Sequence, residues 1–365
     1  MKKIGIVGIG VISGIYLENI TKLFKEIEIV AVCDLIKEKA EKAKKEYNIP
    51  KIYNTMEEMF NDKEIDIILN LTRPYEHFEV TKGALLAGKH VYTEKPLGAT
   101  LEEGDKLVDI AKEKNLLICG APDTFLGAGI QTCRKIIESG LIGEVVGASA
   151  FMVCRGHETW HADPEFYYKF GGGPMMDMGP YYLSALVNLV GNIKSVSGMS
   201  KITFPKRTIT SQPLSGTVIN VDVPTTVNGL MRFENGAIGT IFTTFDVHSA
   251  EVPRIEIYGS HGTLSVPDPN TFEGPIKLYR PEKGEFLEIP LMFSYDGNSR
   301  GLGLADMAKA LECGRNPRAN MSLIHHVLEA MTSFQYSSEQ RKEIDLKTKY
   351  EKEVIMSIPE IKGVL

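Results

Sequence analysis

The chain has 365 residues, of which 43% are hydrophobic and 24% are charged, and its formal net charge is −6 at pH 7. This length is sufficient for two domains that each bury a core, and the composition is that of a soluble globular protein. The acidic balance argues against binding to nucleic acid or to an anionic membrane, because both attract basic surfaces. No stretch approaches the roughly 20 apolar residues that a transmembrane helix needs, so we expect no membrane span.

The N-terminal segment joins two lysines to an apolar run, as a secretion signal does, but this run contains three glycines and lacks a small-residue cleavage site. The five cysteines are Cys33, Cys119, Cys133, Cys154 and Cys313. They are scattered singly, without a C-x-x-C pair, and no His/Cys/carboxylate set has the spacing of metal ligands. We therefore expect free thiols, no metal site and a cytoplasmic location.

Short apolar runs alternate with helix-like segments over the first 120 residues. The predicted strands are K-K-I-G-I-V-G, I-E-I-V-A-V-C-D, I-D-I-I-L-N-L-T, H-V-Y-T-E and L-L-I-C-G-A. The predicted helices span residues 15–24, 37–47, 56–61, 76–87 and 101–114. This alternation indicates βαβ units, and strands without polar alternation are typical of a parallel sheet that is covered on both faces.

After residue 122 the pattern changes. A helix-like segment at 129–139 precedes a β-rich run at 144–153, and residues 196–291 contain many β-like runs separated by Gly and Pro. Helical sequence returns at 303–312 and 324–337. Closely spaced strands of this kind predict a mostly antiparallel sheet. The predicted fold class is thus α/β plus α+β, with a doubly wound Rossmann domain over 1–121 and an α+β domain over 122–365.

The first predicted strand leads directly into Gly8-x-Gly10-x-x-Ser13, a dinucleotide fingerprint in which serine replaces the last glycine. Glycines allow a tight turn and the close approach of a pyrophosphate to the N–H groups at a helix start. Asp34 follows about 20 positions later, at the end of the second strand, where its carboxylate can bond both ribose hydroxyls. The predicted cofactor contacts in this region are Gly8, Gly10, Val11, Ile12, Ser13, Asp34 and Leu35.

Asp34 also bears on the choice of cofactor. A carboxylate at this position repels the 2′-phosphate of NADP, and Leu35 and Ile36 provide no arginine to hold that phosphate. Lys37 is the one cation nearby in the sequence. The sequence therefore favours NAD, with NADP as the less favoured alternative.

Two further polar stretches follow predicted strands of the same sheet, and ligands bind at the carboxyl ends of strands in open α/β sheets. The stretches are N-L-T-R-P-Y-E-H, ending at His77, and T-E-K-P, ending at Pro96. Lys95 could bond a substrate hydroxyl, stabilise an oxyanion or lower the pKa of a neighbour, whereas a plain surface lysine is the alternative interpretation. The predicted cofactor contacts here are Thr72, Arg73, Pro74, His77, Glu94 and Lys95.

Five motifs occur in order along the chain: G-x-G-x-x-S at 8–13, C-D at 33–34, T-R-P-Y-E-H at 72–77, E-K-P at 94–96 and G-G-G-x-x-x-D-x-G at 171–179. The ordered set resembles the Gfo/Idh/MocA oxidoreductase family over most of the chain. The resemblance implies a Rossmann domain, followed by a substrate-binding domain with a large, mostly antiparallel open sheet. It also implies NAD(P)-linked oxidation of a secondary alcohol on a sugar or polyol, and a homodimer or homotetramer formed through the C-terminal sheet.

The resemblance further implies roles for single residues. Lys95 corresponds to a catalytic and substrate-binding lysine, often followed by a cis proline, and Asp177 to an aspartate that orients the substrate. The family commonly reads D-x-G-x-H, with the histidine as general base, but this chain reads D-M-G-P-Y and has Tyr181 at that position. With an ordinary pKa of about 10, tyrosine is a poor base unless a cation such as Lys95 lowers its pKa. A tyrosine packed beneath the substrate pocket is the alternative.

The upstream segment G-H-E-T-W-H-A-D provides His161 as a second candidate base, since histidine titrates near neutral pH. His157 and Trp160 in the same segment are predicted to contact substrate, because aromatic rings stack on the C–H faces of sugars. Arg300 could hold a substrate hydroxyl or carboxylate bidentately, or could belong to a helix-capping network instead. The predicted catalytic residues are Lys95, Asp177, Tyr181 and His161.

These residues together predict an NAD-dependent dehydrogenase that acts on a sugar, a cyclitol or a related polyol. Two alternatives stay open. One is NAD-dependent glycoside cleavage, in which a sugar is oxidised transiently, loses a group and is reduced again. The other is a sensor that binds NAD(P) and a sugar without turnover, which the missing histidine of D-x-G-x-H would allow.

Overall fold

A computed structural model describes residues 1–357, which contain nine α-helices and seventeen β-strands. The helices are α1 (Ser13–Lys22), α2 (Lys37–Tyr47), α3 (Met56–Phe60), α4 (His77–Leu86), α5 (Leu101–Lys114), α6 (Ala128–Glu138), α7 (Pro174–Leu189), α8 (Leu302–Cys313) and α9 (Met321–Gln340). The strands are β1 (Lys2–Val7), β2 (Ile27–Cys33), β3 (Lys51–Ile52), β4 (Ile67–Asn70), β5 (His90–Thr93), β6 (Ile118–Gly120), β7 (Val145–Val153), β8 (Ile193–Lys201), β9 (Lys206–Thr208), β10 (Val218–Asn220), β11 (Thr226–Phe233), β12 (Ile238–Thr244), β13 (Ile255–Gly259), β14 (Gly262–Val266), β15 (Ile276–Tyr279), β16 (Phe286–Ile289) and β17 (Ile344–Asp345).

The first sheet is parallel, and its strand order within residues 1–357 is β3-β2-β1-β4-β5-β6. All four residues of β4 are buried, as its unbroken apolar sequence predicts for a strand covered on both faces. The order reverses between β1 and β4, where Val7 pairs with Asn70 at the carboxyl ends of the two strands. This is the point at which ligands bind in doubly wound folds. The predicted Rossmann architecture is confirmed, although the two-residue strand β3 was not predicted because it contains no apolar run.

The second sheet has the order β16-β15-β14-β13-β7-β12-β11-β8-β17 among the described residues. Its neighbouring strands are antiparallel except for the parallel pair of β7 and β12. Along β11 buried residues alternate with exposed or half-buried ones, which is the pattern of a sheet with one covered face. The predicted α+β fold with a large, mostly antiparallel sheet is therefore confirmed.

Helices α6, α7 and α9 pack on one face of the second sheet. Large apolar side chains on its strands are exposed, namely Met199 at 80%, Leu230 at 56% and Ile238 at 54%. The alternation along β11 puts Leu230 on the face opposite to the buried Met231, which belongs to the core. The second sheet thus has an open face with an apolar component.

The C-terminal helices also return to the first sheet, because α8 and α9 contact β6 and α9 contacts α5. The domain division at 121/122 stays a prediction, since these contacts join the two parts extensively. No helix within residues 1–357 has the length and apolarity needed to cross a bilayer.

Most predicted helices are within a few residues of the observed ones, and those at 37–47 and 101–114 coincide with α2 and α5. The glycine-rich segment at 171–182, for which no helix was predicted, contains the start of one. Helix α7 begins at Pro174, so Asp177 lies in its first turn and Tyr181 lies one turn further along the same helix. Proline is favoured at a first helical position because its missing N–H would have no helical partner there.

Candidate functional site

The loop between β1 and α1 requires glycine at position 8. Gly8 has a φ of +95°, and a Cβ at this position would lie 2.8 Å from the carbonyl oxygen of Leu71. A Cβ on Gly10 would meet nothing within 4 Å, so this part of the backbone is open to a ligand. Ser13 is buried, and its hydroxyl donates a hydrogen bond of 2.7 Å to the Gly10 carbonyl oxygen. The serine therefore closes the turn and is compatible with the fingerprint.

Asp34 holds the same loop from the end of β2. Its Oδ2 accepts a hydrogen bond from the backbone N–H of Ile9 at 2.6 Å, and its Oδ1 accepts one from that of Ile36 at 2.7 Å. The side chains of Val11 and Leu35 are 88% and 97% exposed beside it. A carboxylate with lone pairs to spare thus lies next to an open backbone, which fits the binding of a ribose and a pyrophosphate.

Asn70 and His77 organise the loop after β4. The Asn70 Oδ1 accepts hydrogen bonds from the Thr72 N–H at 3.2 Å and from its hydroxyl at 2.7 Å. His77 is 1% exposed, and its Nδ1 and Nε2 lie 2.7 Å from the Pro96 carbonyl and 3.0 Å from the Thr72 carbonyl. Burial lowers the pKa of His77. Both ring nitrogens face backbone carbonyls, so His77 connects the loop after β4 to the loop after β5. This arrangement favours a structural role over the predicted contact with the cofactor.

Arg73 in the same loop reaches the segment that follows β7. Its guanidinium donates a hydrogen bond to Asp163 Oδ2 at 2.9 Å and one to the Tyr75 hydroxyl at 3.1 Å. It also lies over the ring of Phe166, 5.7 Å from the ring centroid. We predicted Arg73 to contact the cofactor, but the structure brings it against the segment that contains the candidate substrate residues.

Glu94 ties the E-K-P segment to the helix that follows the glycine loop. The residue is 8% exposed, and its Oε1 accepts a hydrogen bond of 2.8 Å from the hydroxyl of Tyr16 on α1. Its Oε2 accepts one of 3.2 Å from the backbone N–H of Lys95. The Lys95–Pro96 peptide bond is cis, as the family resemblance implied.

A buried ion pair joins Lys95 to α7. The Lys95 ammonium donates hydrogen bonds to Asp177 Oδ1 at 2.6 Å and to the Asp177 carbonyl oxygen at 2.7 Å, and the two side chains are only 16% and 13% exposed. Burial alone would lower the pKa of Lys95, but Asp177 outweighs it and raises that pKa well above its ordinary value. Burial alone would raise the pKa of Asp177, but Lys95 and His157 hold it well below its usual range. Both members of the pair are therefore charged at neutral pH.

His157 completes this cluster, because its Nε2 lies 3.0 Å from Asp177 Oδ2. A carboxylate can only accept, so Nε2 carries the proton, and Nδ1 is the nitrogen with a lone pair when the ring is neutral. Nδ1 is buried and has no hydrogen-bond partner among residues 1–357. The imidazole packs against the rings of Tyr167 and Phe245, with centroids 4.0 and 4.6 Å away. Asp177 thus bridges a lysine and a histidine.

His161, the predicted second base, has different partners. Its Nδ1 accepts a hydrogen bond from the backbone N–H of Asp163 at 3.0 Å, and its ring contacts Trp160 and Phe166. Burial lowers its pKa. The two histidines are four residues apart in the sequence, which gives no indication of which one meets Asp177, and the structure places His157 there.

Tyr181 is 7% exposed, and the Lys95 ammonium lies 5.3 Å from its ring centroid. Burial raises the pKa of Tyr181 and outweighs the lowering by Lys95 and Arg300. Lys95 therefore acts in the direction that the general-base interpretation requires, but burial outweighs it, which favours the alternative of a packed tyrosine. At neutral pH the phenol keeps its proton and can donate a hydrogen bond.

Arg300 lies near Tyr181 but is held by two asparagines. Its guanidinium donates hydrogen bonds to Asn298 Oδ1 at 2.8 Å and to Asn270 Oδ1 at 2.7 Å. Tyr181 in turn helps to raise the pKa of Arg300. The arginine therefore belongs both to a loop network and to the surroundings of the candidate site, and the two interpretations of the sequence are not exclusive.

Asp123 is a residue of this region that our sequence reasoning missed. It follows β6, is 1% exposed, and its Oδ2 accepts hydrogen bonds from the N–H groups of Gly301 at 2.8 Å and Gly303 at 3.0 Å. Burial raises its pKa from 3.8 to about 6. A polar residue directly after a strand was the signal used for Thr72 and Lys95, and the same signal would have found Asp123.

A buried charged network supports the segment that contains His157, and it too was not predicted. Arg207 donates a hydrogen bond of 2.7 Å to Glu158 Oε1 and a short one to Asp246, while the Tyr168 hydroxyl donates a short hydrogen bond to Glu158. The Arg207, Glu158 and Asp246 side chains are 3%, 7% and 5% exposed. Arg207 is separated from these two partners by 49 and 39 positions, so no local motif indicates the network.

The glycine loop, Asp34 and the Lys95–Asp177 pair meet near the carboxyl edge of a doubly wound sheet, and together they define an NAD-binding oxidoreductase. Residues 2–120 match the family model described as "Oxidoreductase family, NAD-binding Rossmann fold". Residues 130–265 match the model described as "GFO/IDH/MocA C-terminal domain". The chain therefore belongs to the Gfo/Idh/MocA oxidoreductase family, as its ordered motifs indicated.

Several dehydrogenases are similar to this chain in sequence. Levoglucosan dehydrogenase of Pseudarthrobacter phenanthrenivorans is 28% identical over 223 residues, which is 56% of each chain. Myo-inositol 2-dehydrogenase of Thermotoga maritima is 24% identical over 264 residues, or 72% of this chain and 74% of that one. D-xylose dehydrogenase of Paenarthrobacter nicotinovorans is 26% identical over 263 residues, or 69% and 66%. The match thus spans about half the length of the first of these relatives.

Solved structures show the same fold over nearly the whole chain. Levoglucosan dehydrogenase in complex with NADH superimposes with a TM-score of 0.82 at 20% identity, covering 95% of this chain and 99% of that one. An NAD-binding oxidoreductase from Klebsiella pneumoniae gives a TM-score of 0.81 at 20% identity, covering 94% and 98%. At this level of identity the likeness establishes the architecture.

Proposed function

We propose that the chain is an NAD-dependent dehydrogenase that oxidises a secondary alcohol of a sugar, a cyclitol or a related polyol. The observation that carries this proposal is the buried cluster of Lys95, Asp177 and His157, which lies beyond the same strand ends as the glycine loop. The names of the relatives, which are dehydrogenases of an anhydrosugar, an inositol and an aldose, support the class of substrate.

The chemistry that bound NAD supplies is the acceptance of a hydride. Gly8, Gly10, Ser13 and Asp34 would hold the dinucleotide, because they provide an open backbone at the start of α1 and a carboxylate for the ribose. The same carboxylate would repel the 2′-phosphate of NADP, which favours NAD.

Lys95 is the residue we assign to the reacting oxygen. As the substrate hydroxyl loses its proton, the ammonium stabilises the negative charge that develops on that oxygen. Asp177 keeps Lys95 charged in a buried place where the lysine would otherwise become neutral. Asp177 also orients the substrate ring, either with its remaining lone pairs or through the two side chains that it holds.

We assign the proton of the substrate hydroxyl to Nδ1 of His157, because Asp177 holds the Nε2–H and orients the imidazole; since Nδ1 is buried in the free protein, the ring must shift when substrate binds. This assignment differs from the two candidates of the sequence. Tyr181 holds its own proton too tightly for a base, and the Nδ1 lone pair of His161 already accepts the hydrogen bond from the Asp163 N–H. In this arrangement Tyr181 donates a hydrogen bond and does not remove the proton.

An assay of NADH formation with aldoses, anhydrosugars and inositols tests the proposal. We expect turnover of at least one of these substrates, and a loss of at least about 10³-fold in Lys95→Met, because the oxyanion loses its charged partner. NAD affinity, measured by calorimetry, should stay within about threefold, since Gly8, Gly10, Ser13 and Asp34 are the residues that we assign to the dinucleotide. Lys82→Met, at an exposed lysine paired with Glu79, is the matched control and should keep normal turnover.

Three outcomes would contradict the assignment. Normal turnover by Lys95→Met would remove Lys95 from the chemistry. Product that forms from a glycoside without any accumulation of NADH would indicate the cleavage reaction that oxidises and then reduces the sugar. Binding of NAD and of a sugar without turnover across the whole panel would indicate a sensor.

We also propose a homodimer or homotetramer formed through the open face of the second sheet. The support is the exposure of Met199, Leu230 and Ile238, since an apolar patch on a sheet is typical of an interface. Light scattering would show a monomer at micromolar concentration if this were wrong. The five free cysteines support a reducing, cytoplasmic location, and fewer than five titratable thiols in the protein unfolded directly from cells would contradict it.

A further inference from the structure

We propose a second, outer sugar subsite at the mouth of the candidate active site, formed around Trp160 and Phe166, which takes a glycosyl unit linked to the ring that reacts. The preferred substrate would then be a glycoside or disaccharide and not a free monosaccharide. The inference rests on the proposed dehydrogenase function for its inner ring, and it concerns side chains whose ligands are otherwise undefined.

The first observation is the exposure of aromatic side chains on a short segment. Trp160 is 62% exposed and Phe170 is 59% exposed, and Tyr75 on the neighbouring loop is 46% exposed. Large aromatic side chains that remain in water forfeit the free energy of burial, so a group of them marks a place where a ligand or partner binds. The C–H faces of a pyranose ring are suited to such surfaces.

The second observation is that the exposed rings continue from the buried cluster. His157, which contacts Asp177, meets Trp160 edge-on with ring centroids 5.3 Å apart. Trp160 meets His161 at 5.3 Å, and His161 meets Phe166 at 5.6 Å. His157 therefore joins the carboxylate of the candidate site to the exposed tryptophan, and the contacts between rings continue to Phe166.

The third observation is the rigid support beneath these rings. Glu158 and Arg207 form a buried ion pair at 2.7 Å, and the Glu158 carbonyl oxygen accepts hydrogen bonds from the N–H groups of Thr210 and Ser211. The Ser211 hydroxyl donates a further hydrogen bond to the His161 carbonyl oxygen at 2.5 Å. Because these hydrogen bonds already order the segment, a ligand that binds to its aromatic side chains does not have to order it. The segment is therefore a preformed binding surface.

The fourth observation is a polar pair beside Phe166. Arg73 lies over Phe166 and pairs with Asp163, and both members of this pair are about half exposed, at 51% and 50%. Guanidinium and carboxylate groups at the edge of an aromatic surface are suited to the hydroxyls of a sugar, while the rings take its C–H face. The combination favours a glycosyl unit over an apolar segment of a partner protein.

Trp160 is the only tryptophan of the chain, so its fluorescence reports on this subsite directly. The probes are glucose and galactose, compared with maltose, cellobiose, lactose and melibiose, all added to the protein saturated with NAD. We expect at least one disaccharide to change the Trp160 emission saturably. We expect that disaccharide to bind at least about tenfold more tightly than the monosaccharide of its reducing end.

Substitutions at the subsite should remove this advantage. In Trp160→Ala and in Phe166→Ala the ratio of kcat/KM between disaccharide and monosaccharide should fall about tenfold, through a rise in the KM of the disaccharide. Trp160→Phe, which keeps a flat ring, should retain most of the advantage. Tyr336→Ala, at an aromatic residue on α9 that is 48% exposed, is the matched control and should behave as the unsubstituted protein does.

The result that overturns the subsite is turnover of monosaccharides without any response of the Trp160 emission to the disaccharides. A dependence of this emission on protein concentration, in place of sugar, would also overturn it and would assign the aromatic surface to a second copy of the chain. A saturable disaccharide response without NADH formation would keep the subsite and would refute the proposed dehydrogenase instead.

Discussion

The glycine loop after β1 and the charged cluster at the start of α7 form the two halves of the candidate site. The first half binds through backbone groups and the second through side chains. The first consists mainly of backbone, shaped by Gly8 and held by hydrogen bonds from two N–H groups to Asp34. The second consists of the side chains of Lys95, Asp177 and His157, which come from three separate segments. Backbone geometry depends on near neighbours in the chain, whereas a cluster of charges depends on how distant segments pack.

The largest effect should come from the charged half. In His157→Gln we expect kcat to fall by about 10²- to 10³-fold, because the proton acceptor is lost. Tyr181→Phe should lower kcat less than about tenfold, because only a hydrogen-bond donor is removed. The measurement is kcat as a function of pH with a substrate from the panel.

His161→Gln is the matched control for this comparison and should change kcat less than about threefold. A greater loss in Tyr181→Phe than in His157→Gln would transfer the role of base to the tyrosine. It would also show that the bound substrate or cofactor reverses the effect of burial on the pKa of Tyr181.

The backbone half should respond to glycine substitutions in a graded manner. Gly8→Ala should weaken NAD binding by about 10²-fold and destabilise the fold by about 1–3 kcal/mol, since its φ is +95° and the new Cβ would meet the Leu71 carbonyl. Gly10→Ala should weaken NAD binding about tenfold and leave the stability of the free protein nearly unchanged, because its Cβ would face open space. Calorimetry with NAD and urea unfolding measure the two effects separately.

Gly14→Ala is the control within the same loop and helix, because a Cβ there also meets nothing within 4 Å. We expect it to keep NAD affinity and to gain about 0.5–1 kcal/mol from the higher helix propensity of alanine. Equal losses of NAD affinity in all three variants would mean that the loop responds to any added side chain and that its backbone geometry is not specific.

A smaller effect, on the pH dependence of the free energy of unfolding, should distinguish the two buried aspartates. Asp177 is held by cations, whereas Asp123 is held by backbone N–H groups. The pKa of Asp123 is raised from 3.8 to about 6, so the folded state binds its proton more tightly than the unfolded state does. The free energy of unfolding should therefore fall by about 2 kcal/mol as the pH rises from about 4 to about 6. In Asp123→Asn this contribution should vanish, because an amide does not titrate.

Urea unfolding without NAD at several pH values between about 4 and about 7 tests this point, since other groups contribute equally to both proteins. Asp163→Asn, at an aspartate that is half exposed, should follow the unsubstituted protein across this range. Parallel pH profiles for the unsubstituted protein and Asp123→Asn would show that Asp123 keeps its ordinary pKa when folded.

Much of the fold was predictable, because the relevant patterns are local. The alternation of apolar strands with helices indicated the first sheet, and the observed α2 and α5 have the predicted bounds. Strand β3 escaped prediction because its two residues pair only once β2 is in place. The start of α7 was not predicted, because Pro174 and its neighbouring glycines are typical of a loop, although proline also suits the first turn of a helix.

The sequence by itself determined the nucleotide loop and the family, since Gly8, Gly10 and Asp34 act through spacing along the chain and through the ends of predicted strands. Lys95 and Asp177 were also found from their motifs, although their mutual contact was not. Only the tertiary structure decided that His157 and not His161 meets Asp177, and that burial holds the proton on Tyr181. The pKa of a side chain and the partner of a charge depend on desolvation and distance, and both are properties of the packed molecule.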